Sequence, residues 1–127
     1  MYGRFTVRKE GSRTVSKILN STLKNYDFLK EMYEDGYYPN FLVEKGKLIL
    51  VHLCESIKAR KPHNVEELYQ LTHAATEAFN ALDTELCENG SEIETVAREI
   101  IATEFAHIAK SYGYEADIEE LIAPRDW

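Results

Sequence analysis

Apolar positions are densest between Phe41 and Ile57, where the seven residues Leu48 to Cys54 include one polar member, His52. A run this short fits either a buried strand or a buried helix. The pattern continues on both sides at helical spacing, with Leu42, Ile49, Leu50, Leu53, Ile57 and Gly46 in one stripe. Val43, Val51 and Cys54 widen that stripe over more than half the circumference. A helix apolar nearly all round belongs in the middle of a domain.

The flanking segments repeat the helical period. Val15, Ile18, Leu19, Leu23, Tyr26, Leu29, Met32 and Tyr33 predict a helix from Thr14, stopped by Gly36 and interrupted by Asn20-Ser21. Pro39 suits the first position of the central helix, about 39–60, which ends in Lys58, Arg60 and Lys61 before Pro62. Asn64 and Glu67 then form a capping box for a third helix, whose inward stripe is Val65, Leu68, Thr72, Ala75, Phe79, Leu82 and Leu86. Ala74, Ala78 and Ala81 form a second stripe of small residues, so this helix is expected to touch two neighbours.

Asn89-Gly90 ends the third helix, and Ser91-Glu92-Ile93-Glu94 reads as a full capping box for a fourth. On that reading Ser91→Ala costs about 1 kcal/mol. The fourth helix carries Ile93, Val96, Ala97, Ile100, Ile101, Phe105, Ile108 and Tyr112 inward and closes at Gly113. Asp117 caps a short last helix, 118–123, stopped by Pro124, and Trp127 is expected to dock on the body. Together these predict an all-α, single-domain antiparallel bundle of four main helices plus a short C-terminal helix, over residues 14–127. Residues 1–13 are set apart as a basic N-terminal arm.

Composition narrows the functional classes. The chain has 127 residues and a net charge of −7. Residues 1–30 hold seven Lys/Arg against two acids, and from Pro62 onward three Lys/Arg stand against fifteen acids. An acidic body argues against nucleic acid, whose phosphates need a basic face. No apolar run reaches the roughly 18 residues of a membrane span, and the first residues lack a signal-peptide core, so no membrane and a cytoplasmic location are expected. Cys54 and Cys87 read as two reduced core thiols, with no CxxC and no zinc spacing.

The stretch Leu71 to Asn80, followed by Glu88 to Thr95 and by Ile118 to Trp127, resembles a family of small uncharacterised bacterial proteins, a domain of unknown function. The likeness runs from about residue 26 to the end and leaves out the basic arm. It implies a bacterial cytosolic protein and brings no activity, cofactor or catalytic residue.

Three constellations carry candidate chemistry. Glu104 lies on the apolar face of the fourth helix, with His107 three residues on. Glu-x-x-His is a spacing used in di-iron bundles; of the other His/Glu pairs, His52-Glu55 on the second helix has the reverse order and His73-Glu77 on the third is spaced by four. The plain alternative is a buried Glu104 satisfied by a hydrogen bond, with a tyrosine the favoured donor and no metal. Tyr26, Tyr33, Tyr37, Tyr38 and Phe41 bracket the first turn, with Phe41 and Tyr33 leaning to core and Tyr37 and Tyr38 divided between core and binding surface. The acidic pairs Glu66/Glu67 and Glu92/Glu94 sit at helix starts, where capping and the helix dipole explain much of their presence.

The function expected from these features is that of a small acidic, non-enzymatic protein-binding protein. It resembles in kind an immunity or inhibitor protein that takes a basic protein partner through Tyr37, Tyr38, Glu66, Glu67, Glu92 and Glu94, without a cofactor. Two alternatives stand beside it. One is a metal-binding helical enzyme using Glu104 and His107, and the other is a homodimer or structural module built on the alanine stripe.

Overall fold

The structure, a computed structural model, describes Leu23 and residues 25–127. The arm of residues 1–13 and the start of the helix from Thr14 lie outside the described residues. Among the described residues the regular structure is all helical: α1 (Lys30–Glu34), α2 (Asn40–Arg60), α3 (Val65–Glu88), α4 (Thr95–Ser111) and α5 (Ile118–Leu121). Three of these are long and two are about a turn each. No helix among the described residues is long and apolar enough to cross a membrane.

The expected first helix is corrected where it can be seen. Residues 25–29 are turns and irregular chain, and helical structure among the described residues begins only at Lys30. The physical cause is local: Leu29 has φ 60° and ψ 30°, left-handed geometry that cannot propagate a right-handed helix. Gly36 does not supply the stop, because Asp35 is already extended at the end of α1.

α2 and α3 form the central antiparallel pair. Lys45 near the start of α2 meets Glu85 near the end of α3 at 2.6 Å, and Gly46 faces Phe79 and Leu82. A side chain at Gly46 would place its Cβ 2.8 Å from Leu29 Cδ1 and 3.3 Å from Phe79, so glycine is what lets α2 approach α3 and the Leu29 turn. Leu42, Leu50, Leu53, Cys54 and Ile57 point into the core with Phe79, Leu86, Ile101, Phe105 and Ile108. Leu23 is also fully buried.

α2 is less central than its composition predicts. Phe41 and Leu48 are 58% and 55% exposed, on the side of the helix away from the core. Val96, expected to point inward from α4, is 53% exposed. Cys54 is buried as expected, whereas Cys87 is exposed in the last turn of α3.

The helix ends show which boundary signals act. Asn64 accepts a bond from the Glu67 amide at 2.9 Å, and the Glu67 carboxylate accepts from the amide of His63 at 2.8 Å, one residue earlier than a standard capping box. Gly90 (φ 80°) and Gly113 (φ 89°) are left-handed. The bonds Gly90 N–H to Cys87 and Ser91 N–H to Leu86, repeated as Gly113 to Lys110 and Tyr114 to Ala109, make two Schellman closures. The expected capping box at Ser91 does not form. Glu94 itself is the cap, accepting from the amides of Val96 and Ala97, and the Ser91 hydroxyl is buried without a partner among the described residues.

α3 does touch a second neighbour, the C-terminal segment, through Thr76, Asn80 and His73. Thr76 donates to Thr72 O at 2.8 Å and reaches Leu121 O at 3.3 Å. Asn80 holds Pro124 O and the Asp126 amide, and His73 Nε2 sits 2.7 Å from Glu120 O. Trp127 packs edge-on against Phe79 at 6.3 Å, and Arg98 donates to its carbonyl. Ala74 and Ala81 are exposed.

These closures reverse one expectation and keep another. Ser91→Ala should leave stability unchanged or slightly raised, since it removes an unpartnered buried hydroxyl. Gly90→Val should cost on the order of 2 kcal/mol, because a β-branched residue is strained at positive φ. Chemical unfolding of both variants checks this; a Ser91→Ala loss as large as that of Gly90→Val would restore Ser91 as the cap.

Candidate functional site

The densest polar arrangement in the fold is built on Glu104. Its position on the inner face of α4 leaves it 3% exposed among Ile101, Phe105 and Ile108. A carboxylate there needs partners, because burial without them costs several kcal/mol. Tyr26 donates its hydroxyl proton to Oε1 at 2.5 Å, and the Leu29 amide donates to Oε2 at 2.7 Å. The tyrosine donor foreseen from sequence is therefore present, from a turn rather than a helix. The His107 ring lies 4.6 Å from that of Tyr26, tilted by 36°.

Electrostatics follow from this geometry. Burial pushes the Glu104 carboxyl above its ordinary range, opposed first by the Leu29 amide and then by the Tyr26 hydroxyl. Burial and the adjacent carboxylate hold the Tyr26 phenol protonated well beyond its usual range. Glu31 adds negative charge to both groups.

A recess of about 270 Å³ opens directly onto this pair. Tyr26, Glu31, Val96, Glu99, Thr103 and Glu104 line it, together with Ile100. Three carboxylates thus face one opening, with the half-exposed Tyr26 ring and Val96 as apolar surface. No described Lys or Arg forms an ion pair with any of the three. Glu31 and Glu99 are absent from the residues singled out by sequence, and Val96 was expected in the core. Nothing in the spacing of Glu31 and Glu99 marks them, because only the turn at Leu29 brings α1 over α4.

The other candidates separate. Tyr38 is 3% exposed and its hydroxyl donates to Glu94, a bond that pulls the Glu94 carboxyl below its usual range. Tyr38 and Glu94 thus tie the start of α2 to the start of α4 and are not free surface. Tyr37 is 45% exposed and stacks edge-on against Tyr38 at 5.0 Å. The expected division of the aromatics is reversed for Phe41, which is the most exposed of them. Glu92 is exposed beside this corner. Glu66 and Glu67 are exposed at the opposite end of α3, a 24-residue helix about 36 Å long at its regular rise, so the two acidic pairs do not form one patch.

The metal alternative is not assembled. Among the described residues no three His, Cys, Asp or Glu side chains come together as ligands. Glu104 spends its oxygens on Tyr26 and Leu29, while His73 pairs with Glu120 of the C-terminal segment at 3.5 Å and stacks on Tyr69. Glu77 instead accepts from Asn80 at 3.3 Å, one turn along α3.

This small helical domain, with a buried carboxylate under an acidic recess, belongs to a defined family. Residues 22–127 match the family of unknown function DUF5713, and the chain is a member of it. The match begins just before the described residues and includes every helix and the recess. Neither a curated protein nor a solved structure matches the chain.

The Glu104 cluster sets a pH dependence with a definite sign. A carboxyl held above its ordinary range still binds a proton in the folded chain where the unfolded chain has released it, so stability falls as pH rises through that interval. Glu94 works oppositely, its contribution being lost as pH falls through its lowered value. Glu104→Gln should therefore flatten the decline on the upper side. Tyr26→Phe removes a donor to the ionised form and should cost about 1.5 kcal/mol at neutral pH, and less once Glu104 is protonated. Urea unfolding in mildly acid and mildly alkaline buffer measures both; an equal Tyr26→Phe loss in the two would contradict an ionised Glu104 as its acceptor.

Proposed function

We propose that this chain is a small non-enzymatic protein-binding protein whose partner is a basic protein, in the manner of an immunity or inhibitor protein. The observation that carries the reading is the recess above Glu104, where Glu31, Glu99 and Glu104 face one opening without a described cation. A lysine or arginine side chain of the partner fits its size and charge. Its head group meets the rim carboxylates of Glu31 and Glu99, and the Tyr26 ring offers a cation–π face. Val96 supplies apolar contact within the recess, and Tyr37 is an exposed aromatic beside Tyr38, which bonds Glu94 at the head of α4.

The overall charge supports the same partner. The described residues carry nine Lys/Arg against twenty-one acids, a field that steers a cationic protein and raises its association rate more than its final affinity. Glu92, exposed just before α4, adds to the negative charge near its start, whereas Glu66 and Glu67 remain first-turn acids of α3 at the far end. A metal is not needed for this function, and a cytoplasmic location is part of the same proposal.

The test is capture of partners from a lysate of the source organism, followed by association kinetics at low and high salt. Glu31→Lys and Glu99→Lys should each slow association about tenfold at low salt, while Glu66→Lys leaves it nearly unchanged. A captured partner whose binding ignores salt and both reversals, or is as sensitive to Glu66→Lys, would remove the recess as its docking site.

A further inference from the structure

α2 departs from the rest of the surface in two ways. Residues 40–61 hold five Lys/Arg against two acids, on a chain whose described part is strongly acidic. The same helix carries Phe41 and Leu48 more than half exposed. Apolar side chains so exposed on one helix face point to a covering surface. A strongly basic partner is disfavoured there, and so is the chain's own first segment, where residues 1–22 hold five Lys/Arg and one acid. The outward row of a second copy adds no such excess, because it sets Lys45 against Glu55.

The outward face is also complementary to itself. Phe41, Lys45, Leu48, His52, Glu55 and Ala59 follow one another in alternating steps of four and three, the spacing of a helix–helix seam. Laid antiparallel on a copy of itself about a point midway between Leu48 and His52, the row places Phe41 opposite Ala59, Lys45 opposite Glu55 and Leu48 opposite His52. Large meets small, cation meets anion, and each pairing occurs twice, as an isologous contact requires. Lys45 is 52% exposed while it holds Glu85, and Glu55 is 38% exposed beside His52, so both retain hydrogen-bonding capacity toward a partner.

A recess of about 200 Å³ adjoins this row between α2 and α3, lined by His52, Ile49, Leu71, Ala74 and Ala78 among others. A residue opposite His52 stands at its mouth. The small side chains of Ala74 and Ala78 form part of its α3 wall.

We propose that the outward face of α2 is a homodimer surface. Two copies pack α2 antiparallel, with Leu48 of each seated over His52 at the mouth of the other's recess and Lys45 facing Glu55 across the axis. The surface is separate from the acidic recess above Glu104, so the dimer stands or falls independently of the basic partner.

Sedimentation equilibrium of the full chain across a micromolar to millimolar series tests this, with circular dichroism to verify helicity. The wild type should associate reversibly to a dimer. Leu48→Glu, at an exposed position that does not enter the core, should remain helical and be monomeric throughout. Glu55→Lys should weaken association about tenfold through two like-charge contacts, and Lys45→Glu combined with Glu55→Lys should recover most of that loss. A wild type that is monomeric at the highest concentration, whether bare or covered by its own first segment, overturns the proposal. So does a dimer indifferent to Leu48→Glu, or one that the double charge exchange fails to restore.

Discussion

The fold on the α1 side depends on a buried carboxylate. Glu104 enters the interior from α4, where its charge would cost more than a small domain of marginal stability can spare. It is retained because two donors from one turn converge on it, the Leu29 amide and the Tyr26 hydroxyl. The turn in turn needs Glu104: a leucine held left-handed is strained, and its amide would otherwise be buried without an acceptor. Leu29 then packs against Gly46 of α2, so the same contact sets how closely α2 approaches. One polar cluster thereby fixes α1, α2 and α4 with respect to one another, and the acidic recess is the surface left above it.

The three long helices were legible from the spacing of apolar residues, because each buries a stripe against more than one neighbour. Asn64, Gly90 and Gly113 were legible as boundaries, since capping and positive φ are local chemistry. The failures are equally physical. The apolar spacing of Tyr26, Leu29 and Met32 imitated a helix, but Leu29 reaches the core from a turn, and side-chain spacing alone does not report backbone handedness. Ser91 matched a capping box, yet the Schellman closure at Gly90 uses its amide and carries the chain past it, leaving Glu94 to cap. α2 looked buried all round because an interior helix and a helix with one uncovered apolar row have the same composition.

Glu104 itself was visible as a carboxylate on an apolar face, and so was the need for a donor such as tyrosine. The recess was not, because Glu31 and Glu99 come from elements whose juxtaposition follows from the Leu29 turn. Tyr37 and Tyr38 are adjacent in sequence and opposite in fate, one exposed and one buried on Glu94. Membership in a family of unknown function fixes the domain without assigning its chemistry. The reading of a basic partner therefore rests on charge and shape at the recess.

Amide hydrogen exchange at Leu29 tests the central constraint most directly. If the Glu104 carboxylate holds this turn, the Leu29 amide exchanges as slowly as amides in the middle of α2 in the wild type. In Glu104→Met, which keeps the volume and removes the acceptor, its protection collapses while α2 and α3 stay protected. A Leu29 amide that exchanges freely in the wild type, or whose protection survives Glu104→Met, would contradict the account.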